Sequence, residues 1–238
     1  MSRGTLYLIP NTLGPGPAEM VIPAGVLDQS RNLQHFLAEN EKTARRYLKS
    51  IDTPIALDDL RFYILDKRTA PEEVSSLCQP LLSGTDMGLI SEAGLPAIAD
   101  PGAAAVAWCH RNKVAVVPAT GPSSIILALI ASGFNGQQFT FHGYLPIERK
   151  DRQAALRNME REVQRTGATQ LFMETPFRNE KMLASITEVC QANTYIGIAC
   201  DLTLPNAYIR THTVSEWRKQ TPKLHKRPCI FSMGRLAL

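Results

Sequence analysis

The sequence predicts an α/β protein made of two α/β domains, residues 1–118 and 119–238, each on a mainly parallel or mixed sheet. Short apolar runs of strand length alternate with helix-patterned segments four or five times before residue 118. That order gives a mainly parallel sheet with helices on both faces. The theme repeats afterwards with a more aromatic texture. At 238 residues, with 44% hydrophobic and 20% charged side chains, the chain can bury a full globular core as one large or two small domains.

In chain order, Gly4 to Ile9 reads as the first strand, ended by Pro10 and followed by the turn-rich segment Asn11 to Pro17. G-x-G-x-x-G is absent, and prolines stand where free amides would hold a pyrophosphate, so a nicotinamide cofactor is not expected. Asn32 to Ala38 is a strand ending at Glu39. Glu41 to Ile51 is helical, with Ala44, Tyr47 and Leu48 on one side and Lys42, Arg45, Arg46 and Lys49 on the other. Arg61 to Leu65 is a strand, Pro71 to Leu82 a helix, and Met87 to Ile90 a buried strand. A helix from Ala103 and a strand from Val114 complete the first half.

In the second half, Ile125 to Ala131 is apolar on every face and therefore expected to be enclosed, with Ser132-Gly133 as its stop. Phe139 to Tyr144 is a strand and Glu148 to Thr166 a helix. Arg157, Arg161 and Arg165 fall at i, i+4 and i+8, making a basic ridge with Arg149, Lys150 and Arg152. A solvated face is the plainer explanation, and phosphate tracking the sharper one. Gln170 to Glu174, Tyr195 to Thr203, Ala207 to Val214 and Pro228 to Met233 read as strands, with helices over Asn179 to Gln191 and from Ser215.

The chain is organised around Met87 to Gly102, where a buried strand runs into Ser91 and Glu92 and then a loop holding Gly94, Pro96, Pro101 and Gly102. Glycines open backbone angles closed to other residues and prolines stiffen the span, which suits gripping a ligand by main chain. Pro118 to Ser124 is the second such turn. Pro122 suits a first helical turn, and Ser123 and Ser124 can cap the helix that follows. On spacing alone, ordinary strand-to-helix connections are the plainer explanation of both stretches.

A formal charge of +4 is mildly basic, compatible with an acidic partner such as RNA. Five cysteines at scattered spacing, with no C-x-x-C pair, are expected to be reduced and mostly buried. Five histidines without an i,i+4 pair give a metal site little support. No apolar run reaches membrane-spanning length and the N-terminus lacks a signal-peptide pattern, so the expectation is a cytoplasmic protein.

SEAGLPAIADPG with ATGPSS, the opening LYLIPNTLGPG, the segment FLAENEKTARRYLKSI and LFMETPFRNEKML occur in one order from Leu6 to about Thr213. Together they resemble the tetrapyrrole methylase superfamily, in the branch of the ribosomal RNA small-subunit methyltransferases I, which are 2'-O-methyltransferases. The resemblance implies S-adenosylmethionine as methyl donor, a donor cleft between two halves, a homodimer and an RNA acceptor. Donor contacts are then expected at Pro10, Ser91, Glu92, Ala93, Gly94 and Ile98, and at Pro122, Ser123, Ser124, Met173 and Leu202. Acceptor contacts are expected at Arg45 and Arg178. Departures from the family pattern fall at Gly14-Pro-Gly16, at Asn40 in place of an aspartate, at Asp66 to Thr69 and at Phe177.

Methyl transfer from a sulfonium is an in-line displacement that needs positioning and no protein nucleophile. A ribose hydroxyl also needs a proton sink, for which Glu39, Glu92 and Glu174 are candidates. Two other readings stay open. One is a methyltransferase for a small, tetrapyrrole-like acceptor, and the other is a donor-binding protein without turnover.

Overall fold

A computed structural model describes residues 2–236. The chain divides into two compact units, one ending at Ser123 and the next beginning at Ser124.

The first unit holds a five-stranded sheet of β1 (Thr5–Ile9), β2 (His35–Ala38), β3 (Arg61–Ile64), β4 (Met87–Ile90) and β5 (Ala115–Pro118), in the order β3-β2-β4-β1-β5. Every pairing is parallel. The pleat decides what each face buries. Phe36, Ala38, Ile9 and Ile90 pack with α1 (Ala24–Arg31) and α2 (Glu41–Ser50). Leu37, Leu6, Met87 and Leu89 pack on the other face with α3 (Glu73–Leu77), α4 (Gln79–Leu82) and α5 (Gly102–Arg111). At Gly88 an added Cβ would lie 2.8 Å from the Phe36 ring, so the strand needs glycine where a large side chain crosses it.

Two differences from the sequence expectation have local causes, and one departure from the family pattern has a local role. The helix expected over Pro71 to Leu82 is two short ones meeting at Cys78, because Pro80 lacks the amide that a continuous helix would use. Helix α1 gave no clear pattern, since only Leu27 and Ser30 of its eight residues are buried. Asn40, which replaces an aspartate of the family pattern, caps α2 by accepting from the Thr43 amide at 3.1 Å.

The second unit holds a mixed sheet of β6 (Phe139–Tyr144), β7 (Thr169–Glu174), β8 (Tyr195–Cys200), β9 (Tyr208–Thr213) and β10 (Cys229–Gly234), in the order β6-β7-β10-β8-β9. Only β6 and β7 run parallel. One face buries Phe172, Ile198, Phe231 and Met233 beneath α7 (Arg149–Thr166), α8 (Asn179–Val189) and α9 (Val214–Trp217). Helix α6 (Ser124–Ser132) packs on β8, β9 and β10, with the Ser132 carbonyl accepting from Thr211 Oγ1. Gly133, at φ +76°, ends it as expected.

Several expectations for this unit are corrected. Helix α6 is not enclosed, since Ile130 is 71% exposed and Ile126 44%; its apolar composition exceeds what one sheet face covers. The cysteines are not all reduced: β8 and β10 pair Cys200 with Cys229, and the antiparallel register brings them together as a disulfide. Cys78, Cys109 and Cys190 are free and buried. The basic ridge of α7 is mostly engaged locally. Arg165 pairs with Glu162, Arg149 with Glu188, and Arg161 bonds Asn158, while Arg152 reaches Ser185 and the Ile147 carbonyl. Among the described residues, no helix is long and apolar enough to cross a membrane, and no three His, Cys, Asp or Glu gather as metal ligands.

Candidate functional site

Strands that all run one way finish at one edge, and an α/β sheet offers its ligand site there. In the first unit the loops leaving β1, β2, β4 and β5 meet at that edge. Asn11, just past β1, joins two of them. Its backbone amide donates to the Gly94 carbonyl (2.9 Å) and its carbonyl accepts from the Gly94 amide (3.1 Å), forming an isolated antiparallel bridge. Its side-chain nitrogen donates to the carbonyls of Ser91 and Glu92, both at 3.2 Å, and its side-chain oxygen accepts from the Thr12 amide at 2.8 Å. Asn11 is 4% exposed, so these bonds form away from water and fix the loops firmly. The residue lies within the opening LYLIPNTLGPG that carries the resemblance, but not among the donor contacts expected from it.

The loop after β4 adopts the unusual backbone its composition implied, but not only at glycines. Gly94 has φ +70°, and Ala97 and Ala99 have φ +66° and +61°. An L-residue there is strained, and such strain persists only when the surroundings over-determine it. Asp100 does so, since its Oδ1 accepts from the amides of Ala97 (3.0 Å) and Gly102 (2.7 Å). Its Oδ2 is buried with no hydrogen-bond partner among the described residues. Burial raises the Asp100 pKa and the amide bonds oppose the rise. Gly102 is required for close approach rather than for angle, because a Cβ there would lie 2.8 Å from Asp100 Oδ1 and Leu89.

The loop after β5 closes on the other two. A Cβ on Gly94 would lie 3.1 Å from Leu13 and 3.2 Å from the Pro122 carbonyl. At Gly121 it would lie 2.2 Å from Pro10 Cβ. Pro10, Gly94 and Pro122 therefore sit together in the first unit, with Ser91 buried and Ile98 exposed nearby in sequence. Both backbone groups of Gly94 are spent on Asn11, which removes them from the donor contacts expected of this loop; the Glu92 carbonyl is likewise taken. The amides of Glu92 and Ala93 have no acceptor among the described residues. Ser123 ends this unit.

The remaining expected donor contacts lie in the second unit. Ser124 begins α6, Met173 is half-buried on β7, and Leu202 is 8% exposed between two left-handed residues, Asp201 (φ +50°) and Thr203 (φ +72°). Arg227 Nε holds Asp201 at 2.7 Å and fixes that turn.

The carboxylates separate by environment. Glu174 is nearly inaccessible and clamped: its Oε1 accepts from Arg178 Nη2 and the Thr175 amide, both at 2.6 Å. That bond ties Arg178 to Glu174 at the end of β7. Glu39, at the end of β2, has its pKa raised by burial and then by the charges of Glu92, Asp100 and Asp66, against Lys67. A raised folded pKa means that ionisation opposes folding, and the opposition sets in as pH climbs through the carboxylate range. Glu39→Gln is therefore expected to raise the melting temperature at neutral pH, with the gain fading as pH falls through that range. Melting curves of both proteins across pH check this, and a gain independent of pH would contradict it.

Arg45, the expected acceptor contact, is spent on the scaffold. Its Nε bonds Glu41 at 2.7 Å, its Nη1 the Leu57 carbonyl at 2.6 Å, and its guanidinium lies 4.9 Å from the Phe62 ring centre. Its neighbour Arg46 instead lines a cavity of about 400 Å³ with Thr43, Tyr47 and Ser50 of α2, residues 11–16 and Glu92-Ala93. Both arginines looked alike on the helix pattern, and only the phase against β3 separates them.

No family model matches the chain. The small-subunit ribosomal RNA methyltransferase I of Escherichia coli O157:H7 is 30% identical over 233 residues, covering 97% of this chain and 77% of that protein. The protein of that name from Halalkalibacterium halodurans is 30% identical over 201 residues, 84% of this chain. The chain spans only 65% of that relative's length. The Buchnera aphidicola (Schizaphis graminum) protein of that name is 26% identical over 227 residues, covering 94% and 75%. In fold, the chain is similar to the methyltransferase CobJ (TM-score 0.63, 16% identity, 100% of this chain and 95% of that one). It is also similar to a conserved hypothetical protein of Aeropyrum pernix K1 (TM-score 0.68, 14% identity, 99% and 86%). The two-sheet α/β architecture expected from the sequence is thus that of a known methyltransferase, and by sequence the chain belongs to the ribosomal RNA small subunit methyltransferase I family.

Proposed function

We propose that the chain methylates a ribose 2'-hydroxyl of ribosomal RNA with S-adenosylmethionine as donor. The observation that carries this is the strained loop of residues 91–102, pinned by Asn11 and Asp100 at the carboxyl edge of the parallel sheet, in a chain with these relatives. The residues present fit a donor that has no phosphate. The Glu92 and Ala93 amides are available as donors, Ile98 offers an exposed apolar face, and the glycine–lysine cradle of a nucleotide triphosphate site is missing. Pro10, Pro122, Ser123, Ser124, Met173 and Leu202 are proposed as further contacts on the resemblance alone.

When bound, the donor supplies a methyl group on a positively charged sulfur. The protein's part is to keep water away, hold the ribose oxygen in line and take the proton that this oxygen loses. We assign the proton to Glu39, whose affinity for protons is raised and whose strongest charged neighbour is Glu92. Arg178 and Glu174 are assigned to holding the end of β7. Cytoplasmic location and pairing of two copies follow the resemblance, and light scattering tests the second.

Two measurements test the function. Titration with S-adenosylmethionine is expected to raise the melting temperature, since a ligand at 100 times its dissociation constant stabilises by about 2.7 kcal/mol. Nucleoside mass spectrometry of ribosomal RNA from cells lacking the gene is expected to show one 2'-O-methylated nucleotide missing. An unchanged profile with intact donor binding would turn the reading toward a small acceptor.

A further inference from the structure

The cavity beside the loop of residues 91–102 is lined by charged side chains of both signs, Arg46 and Glu92. One wall is a stripe of α2, Thr43, Arg46, Tyr47 and Ser50, at the i, i+3, i+4, i+7 spacing that puts residues on one helical face. Glu92, whose charge raises the pKa of Glu39, lines the same cavity. Arg46 is exposed and has no ion-pair or hydrogen-bond partner among the described residues, unlike Arg45 beside it. Lys42 and Lys49 flank it along the helix, likewise without partners. Residues 11–16 also line it and bring no cation. A volume of about 400 Å³ lies within the range of about 300–1,000 Å³ typical of small-ligand sites.

A ligand that suits this lining offers an anion to Arg46 and hydroxyls to Glu92. We propose that this cavity seats one nucleotide of the RNA acceptor, with a backbone phosphate on Arg46 and the ribose toward Glu92. The proposal deepens the function above and rests on that reading. Arg46 is a positioning residue, because it fixes where the ribose lies and takes no part in the transfer. None of residues 11–16 carries a charge, so the cation facing this cavity comes from the helix.

Arg46→Ala and Arg46→Lys test this in the full chain, with Lys150→Ala on α7 as control. Alanine is a strong helix former at an exposed site, so the fold should persist. Arg46→Ala is expected to raise KM for RNA about tenfold or more, the cost of one charge-assisted phosphate contact. Donor affinity and kcat should stay near wild type. The slope of log affinity against log salt should fall by about 0.7–1, the signature of one lost phosphate contact. Arg46→Lys should recover much of KM, and Lys150→Ala should change none of these. Wild-type KM and salt slope in Arg46→Ala would overturn the nucleotide seat and leave the RNA reading standing. A wild-type protein that binds donor but neither binds nor methylates RNA would overturn both.

Discussion

Gly121→Ala is expected to destabilise the first unit by about 3 kcal/mol, the upper part of the range for forcing a carbon into a packed site. The added Cβ would lie 2.2 Å from Pro10 Cβ and 2.5 Å from Pro10 Cγ. Proline has no rotamer to yield, and Pro10 directly follows β1 while Gly121 lies three residues past β5, which pairs with β1. Relief must therefore come from the backbone, by opening the ends of two strands. Denaturant unfolding measures the loss as a lower midpoint. Gly136→Ala, where the new carbon meets nothing within 4 Å, should leave the midpoint in place. Equal midpoints for the two variants would show that Pro10 and Gly121 do not touch.

Gly94→Val is expected to weaken S-adenosylmethionine binding by about 10- to 100-fold. A β-branched residue at φ +70° is strained by roughly 1–3 kcal/mol, and the loop can relieve that only by leaving its shape. The new side chain also presses on Leu13 and on the Pro122 carbonyl, so the shift moves three loops together. Titration calorimetry on the folded variant reads the change. Unaltered affinity would remove the loop of residues 91–102 from the donor site.

The sequence made some of this legible and concealed the rest for physical reasons. Strands β1 and β4 announce themselves because buried parallel strands are almost wholly apolar. The importance of Gly94 was visible, since glycine is what a left-handed position selects. Ala97 and Ala99 occupy the same region without any signature, because alanine is there under compulsion from Asp100, a local side-chain-to-backbone pattern that composition alone does not announce. Asn11 was hidden in a turn-rich stretch where asparagine is ordinary; its meaning comes from Gly94, more than eighty residues later. Arg45 and Arg46 differ by one helical step, and only β3, which supplies Phe62, shows which of them is bound. The Cys200–Cys229 pair depended on the register of two strands that are distant in sequence.

The strand order of the first sheet also governs how the protein emerges from the ribosome. Both neighbours of β1, namely β4 and β5, are synthesised later, at residues 87 and beyond. The earliest strand thus stays without a pairing edge while β2 and β3 are already made. Its backbone groups and its apolar Leu6, Leu8 and Ile9 wait in a nascent chain that has nothing to offer them. Such long-range closure is slow and leaves sticky segments open to neighbours. Chaperone dependence should therefore concentrate in the window before residue 90 leaves the exit tunnel, and disappear once β4 slots between β1 and β2.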